Sequence, residues 1–133
     1  MNRLQRSILG IGLGAVLFAS SAAYAHHSAA MWDQTRTIKI SGTVTRFEWT
    51  NPHAWIWLTS PGTGGAAQEW GIEANALNDM LRMGWRHDTL HPGDKIVVTA
   101  HPRRVGTGKV ASFISATSAA GAPIPAKTSA QNP

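Results

Sequence analysis

The chain has 133 residues, 43% of them apolar and 14% charged, with a formal net charge of +5 and no cysteine. That length fits one domain. The lack of cysteine excludes a disulfide framework, a thiol nucleophile and a lipid-anchored cysteine, so an ordinary apolar core must hold the fold.

The N-terminal end is read as an address, not as part of the fold. Arg3 and Arg6 precede a mostly apolar run from Ser7 to Ala19, and Ala23-Tyr24-Ala25 closes the segment. Basic, apolar, then small residues in an A-x-A pattern is the order of a secretory signal peptide. The apolar run is too short for a good membrane span. Residues 1–25 are therefore expected to be removed after Ala25, leaving a periplasmic protein that starts at His26 and has no membrane span. Loss of Arg3 and Arg6 would lower the excess of basic over acidic side chains from five to three. An exported protein of this charge suits a cell-envelope ligand or protein, with anionic headgroups and glycans favoured and nucleic acid not expected.

Residues 26–36 have no clear period and read as an extended arm, with Met31 and Trp32 available to pack down. Residues 37–49 read as a strand. Ile38, Ile40 and Val44 share one parity, while Phe47 and Trp49 fall on the other. A switch of phase within one strand predicts a bulge near Thr45 and Arg46, with Gly42 easing the bend. Asn51-Pro52 predicts a turn. Residues 53–59 alternate strictly: Ala54, Ile56 and Leu58 on one face, His53, Trp55 and Trp57 on the other. Residues 60–65 form a loop. Residues 67–74 make a third strand, with Trp70, Ile72 and Ala74 opposite Glu69, Gly71 and Glu73.

A short helix follows. Asn75 is its expected N-cap and Leu77, Met80 and Leu81 its apolar stripe. Gly84 is the expected left-handed terminator, with Trp85 folding back on Met80. Leu90 anchors the next loop and Pro92-Gly93-Asp94 turns the chain. Residues 95–101 and 110–117 are the last two strands, joined by a basic loop. Residues 118–133 contain few large apolar side chains and are expected to be disordered. Three strands, one short helix and two strands, with a bent first strand, match a small five-stranded antiparallel barrel of the OB type over residues 37–117.

With those elements placed, the chain resembles a family of small exported bacterial proteins of unknown function. The resemblance rests on His26-His27-Ser28, Gly42-Thr43-Val44-Thr45, the run from Glu48 to Trp55, Asn75-Ala76-Leu77, Gly84-Trp85, and the stretch from Leu90 to Asp94. It implies a compartment and a compact β domain, and brings no activity with it.

Two groups of residues could carry chemistry. Cleavage after Ala25 would give His26 a free α-amine beside its imidazole, and that amine deprotonates near neutral pH. With His27, His53 or His101 supplying a further nitrogen, the set suits copper or zinc. The bland alternative is a polar start that merely suits the peptidase. The second group is His53, Trp55 and Trp57. Facing outward, they form an aromatic platform with a polar tip, the side on which OB barrels take ligands. Facing inward, the indoles would be core.

Other motifs are weak. His87 and His91 sit in a loop without an HExxH pattern. Glu69 and Glu73 lie about 13 Å apart along one strand face, beyond glycosidase spacing, and read as solvated. Gly106-Thr107-Gly108-Lys109 precedes a strand, not a helix, and reads as a hairpin turn. Arg103, Arg104 and Lys109 cluster at that turn as a solvated tip or a polyanion contact. No serine elbow is present, so binding is favoured over catalysis.

Overall fold

A computed structural model describes residues 30–125 of the chain. The expected signal peptide, His26, His27 and residues 126–133 lie outside them. The strands are β1 (Ile38–Glu48), β2 (Trp55–Pro61), β3 (Ala67–Glu73), β4 (Lys95–Pro102), β5 (Val110–Ser118) and β6 (Pro123–Ile124). One helix, α1 (Leu77–Arg82), lies between β3 and β4.

The sheet order is β3-β2-β1-β4-β5-β6, and a further pairing of β3 with β5 closes the first five strands into a barrel. The closing pair is parallel, with Gly71 opposite Val110 and Glu73 opposite Ser112. The barrel is therefore mixed where an antiparallel one was expected. The reason is parity: five strands closed into a ring cannot all alternate in direction, so one neighbouring pair must run parallel. The element order and the shared bent first strand define an OB-like barrel.

The bulge predicted in β1 falls where the phase switches. Val44 pairs with Leu58 and Arg46 with Trp57, leaving Thr45 as the extra residue. Before the bulge, Ile40 and Val44 point into the barrel. After it, Phe47 turns toward Trp85, with ring centroids 5.9 Å apart. Trp85 in turn meets Phe113 edge-on at 5.3 Å. Helix α1 and Trp85 thus belong to the same core as the strand interior, where Ile56, Leu58, Ile72, Met80 and Val98 are fully buried.

The helix ends as the sequence predicts. Gly84 has φ of +88°. Its N–H donates to the Leu81 carbonyl at 3.0 Å, and the Trp85 N–H donates to the Met80 carbonyl at 2.9 Å. Those two bonds are a Schellman cap. The start differs from expectation. Ala76 occupies the cap position without a side-chain bond, and Asn75 instead donates to Met83 Sδ at 3.6 Å. Leu81, expected in the apolar stripe, is 42% exposed. A helix of six residues has room for only one inward turn, and Met80 fills it.

The described part of the expected tail, residues 118–125, is the other correction. The chain beyond Ser118 turns at Gly121, and β6 pairs Ile124 with Ala116 and Pro123 with Thr117. Ile124, the one branched apolar residue of that segment, packs against the core. The arm is ordered as well from Trp32 onward. Trp32 is buried and bridges to Arg103, and the Asp33 N–H donates to the Pro102 carbonyl at 2.9 Å. Among the described residues, no helix is long and apolar enough to cross a membrane.

Candidate functional site

Strand β2 sits between β1 and β3, so its outward side chains occupy the middle of a three-strand surface. The register sets two rows across it. Arg46, Trp57 and Gly71 lie side by side in one, and Glu48, Trp55 and Glu73 in the next. His53 precedes Trp55 by two residues, on the same parity, and closes the strip at its turn end.

The indoles of Trp55 and Trp57 stack on each other at 5.7 Å between centroids and 20° between planes. Offset-stacked rings at this spacing contribute about 0.5–1.5 kcal/mol beyond their burial. Both remain half-buried, so they line the outer surface and not the core. Arg46 places its guanidinium 4.9 Å from the Trp57 ring centre, and its Nε donates to Glu48 Oε1 at 2.6 Å. On the other side Trp57 lies over Gly71. A Cβ on Gly71 would come within 2.9 Å of Trp57 Cζ3, so the missing side chain is what lets the ring lie down there. The Trp57 indole N–H is buried and has no acceptor among the described residues.

His53 is held by Glu73. Its Nδ1–H donates to Glu73 Oε1 at 2.5 Å, across side chains that are 34% and 15% exposed. A carboxylate can only accept, which assigns a proton to Nδ1 and leaves Nε2 free of that bond. Spacing along the strand could not reveal Glu73's partner, because that partner lies on a neighbouring strand. Glu69, by contrast, is exposed.

The remaining expected metal residue stands elsewhere. His101 Nδ1–H donates to the Arg36 carbonyl at 2.8 Å. It follows Ala100, which pairs with Ile38 at the start of β1, whereas Trp55 beside His53 pairs with Glu48 at the end of β1. His53 and His101 therefore mark opposite ends of one long strand and cannot share an ion. Among the described residues, no three of His, Cys, Asp and Glu gather in metal-ligating proximity. His87 and His91 are exposed loop residues.

Arg46, Glu48 and Glu73 complete the face and were not singled out for it by sequence. Each is an ordinary polar strand residue until the register brings it beside the β2 aromatics.

The fold and this face place the chain among small OB-like barrels whose middle strands carry an outward aromatic strip. The chain belongs to a family of unknown function, DUF6152, whose model matches residues 15–111. No curated protein matches it. Among solved structures it is similar to the mitochondrial single-stranded DNA binding protein Rim1 of S. cerevisiae. One crystal form shares 12% identity at a TM-score of 0.46, over 63% of this chain and 93% of that one. A second form shares 13% identity at a TM-score of 0.47, over 63% and 92%.

Proposed function

We propose that the protein is an exported, non-catalytic binding module whose ligand seat is the outer face of β1, β2 and β3. The observation that carries this reading is the stacked Trp55–Trp57 pair, held half-exposed at the centre of a polar frame. Two indoles left at a surface expose apolar area that a ligand can cover. Arg46, Glu48, His53 and Glu73 around them offer both donors and acceptors. Flat apolar faces ringed by such groups suit a saccharide, whose rings stack and whose hydroxyls both donate and accept. The arginine and small-residue pattern of residues 1–25 supports a periplasmic setting and so a cell-envelope glycan.

Titration of the protein with soluble cell-wall oligosaccharides should change tryptophan emission in a saturable way. Trp55→Ala and Trp57→Ala should each remove the response while the far-ultraviolet circular dichroism of the barrel persists. A response unchanged in both variants would sink the reading.

A second reading is favoured by the His53–Glu73 pair. A carboxylate that fixes Nδ1–H and leaves Nε2 free is how metal-ligating histidines are oriented. Copper or zinc held by the amine and ring of a processed His26, with His53 as a further ligand, fits that arrangement. His101 takes no part. One residue added before His26 should abolish tight Cu(II) binding measured by calorimetry, and unchanged affinity would discard the amine as a ligand.

A further inference from the structure

A second concavity lies away from the aromatic face, between the N-terminal arm and the β4–β5 loop. Its volume is about 250 Å³, and Arg36, Trp70, Arg103, Thr107, Gly108 and Lys109 are among its walls. Three of those side chains are cationic, and among the described residues no carboxylate lines it.

The walls are positioned mainly by packing and by bonds to backbone carbonyls. The arm docks through buried Trp32, whose carbonyl accepts from Arg104 Nη2 at 3.2 Å. The His101 bond to the Arg36 carbonyl then fixes the backbone of Arg36 at the rim. The β4–β5 loop brings Arg103 and Lys109. Gly106 bends that loop at φ +96°, and Arg103 Nη1 passes Gly108 at ordinary contact distance, 3.4 Å from where a Cβ would stand. Trp70 closes the wall from β3. Lys109 Nζ rests 5.2 Å from the Trp70 ring centre, an orientation worth about 0.5–1 kcal/mol at an exposed site.

Among the described residues, two of the three charges have no ion-pair partner, and the third has a long one. Among the described residues, neither Arg103 nor Lys109 has a carboxylate within salt-bridge distance. Arg36 reaches Asp33 only at 3.9 Å, and Asp33 is already engaged by the Thr35 hydroxyl and N–H. Thr35's hydroxyl is the chief cause that holds the Asp33 carboxyl below the usual range, and the Arg36 and Arg104 charges add to it. Cations gathered around one concavity without acids repel one another, and an anion in the middle relieves the repulsion.

We propose that this concavity is an oxyanion site for a phosphate or sulfate monoester. Two guanidiniums and an ammonium are the donor set that recognises tetrahedral oxyanions. The volume falls below the roughly 300–1,000 Å³ of sites for drug-sized ligands, which fits a small anionic group and not an extended molecule. Trp70 offers an apolar wall to the carbon skeleton of the ester. The ester can arrive free, as a phosphorylated sugar, or as a lipid headgroup. Val105, 79% exposed at the tip of the same loop, gives the headgroup source a point of apolar contact.

The test is calorimetry on the purified full chain with inorganic phosphate, glucose 6-phosphate and uncharged glucose, beside co-sedimentation with vesicles of phosphatidylglycerol and phosphatidylcholine in equal parts. Glucose 6-phosphate should bind one-to-one, glucose should not, and added salt should weaken the binding. Arg103→Gln with Lys109→Gln should weaken it by about tenfold or more, as expected for loss of charge-assisted bonds. Arg36→Gln, at an exposed side chain that supports no core packing, should weaken it independently. Trp55→Ala should leave it unchanged, which separates this site from the aromatic face. Binding to vesicles alone, lost in the same variants, would assign the ester to a headgroup. No binding to either probe, or binding that survives the variants, overturns the proposal.

Discussion

At Gly42 the barrel wall leaves no room for a side chain. A Cβ there would stand 2.4 Å from Leu58 Cδ1 and 2.6 Å from the Thr59 carbonyl oxygen. Leu58 is wholly buried, so its side chain has little space to retreat, and the Thr59 carbonyl belongs to the β2 backbone. Gly42→Ala must therefore part β1 from β2 or repack the interior. Overpacking of this kind costs about 1–3 kcal/mol, and the backbone contact places Gly42→Ala toward the upper end. Urea unfolding followed by tryptophan emission checks it through a lower midpoint at unchanged slope. A midpoint equal to that of the parent would show that the strands separate freely at this crossing. Single residues of this sort were partly legible. The inward parity at Gly42 is plain in the sequence, and so is the outward parity of Trp55 and Trp57. The partners Arg46 and Glu73 were not, because a cross-strand neighbour depends on register, and register here depends on a one-residue bulge and a loop of uncertain length.

Among the elements, the ones written by strict alternation formed where the pattern placed them. In β2, β3 and β4 the apolar parity became the interior, with Ile56, Leu58, Ile72, Val98 and Ala100 fully buried. The change of phase in β1 located its bulge, since the only way to bury Val44 and then turn Phe47 toward Trp85 is to add a residue between them. Helix α1 was legible from its end and not from its beginning. The end depends on a positive φ that glycine supplies at Gly84, a local property. The beginning depends on where the chain leaves β3: the Ala54 N–H donates to the Asn75 carbonyl at 3.2 Å, which ties Asn75 to the β2–β3 ladder and moves the cap to Ala76. Strand β6 carried no readable signal. It is two residues long, and its reason for existing is nonlocal: the Ser118 N–H donates to the Ala122 carbonyl at 2.7 Å, returning the chain so that Ile124 covers the open side of β5.

For the molecule as a whole, Gly71 joins barrel closure to the candidate ligand face. Its N–H donates to the Lys109 carbonyl at 2.9 Å, at the start of the parallel pairing that seals β3 to β5. Its α-carbon is also the floor on which Trp57 lies, with Trp55 stacked on Trp57 and Arg46 over it. A β-branched side chain at this position keeps the backbone donor and suits an extended strand, so Gly71→Val should leave closure intact. The same side chain would meet the Trp57 ring within van der Waals distance and lift it off the sheet. The stacked indoles would then separate, and Arg46 would lose its ring partner. Stacked indoles couple their electronic transitions and give a paired positive and negative band in circular dichroism. Gly71→Val should abolish that pair of bands, leave the thermal midpoint within a few degrees of the parent, and weaken any saccharide that stacks on the face. Loss of the bands together with loss of the fold would instead place the importance of Gly71 in closure alone. Bands that survive unchanged would mean that Trp57 is held by Trp55 and Arg46 and owes nothing to the bare backbone beneath it.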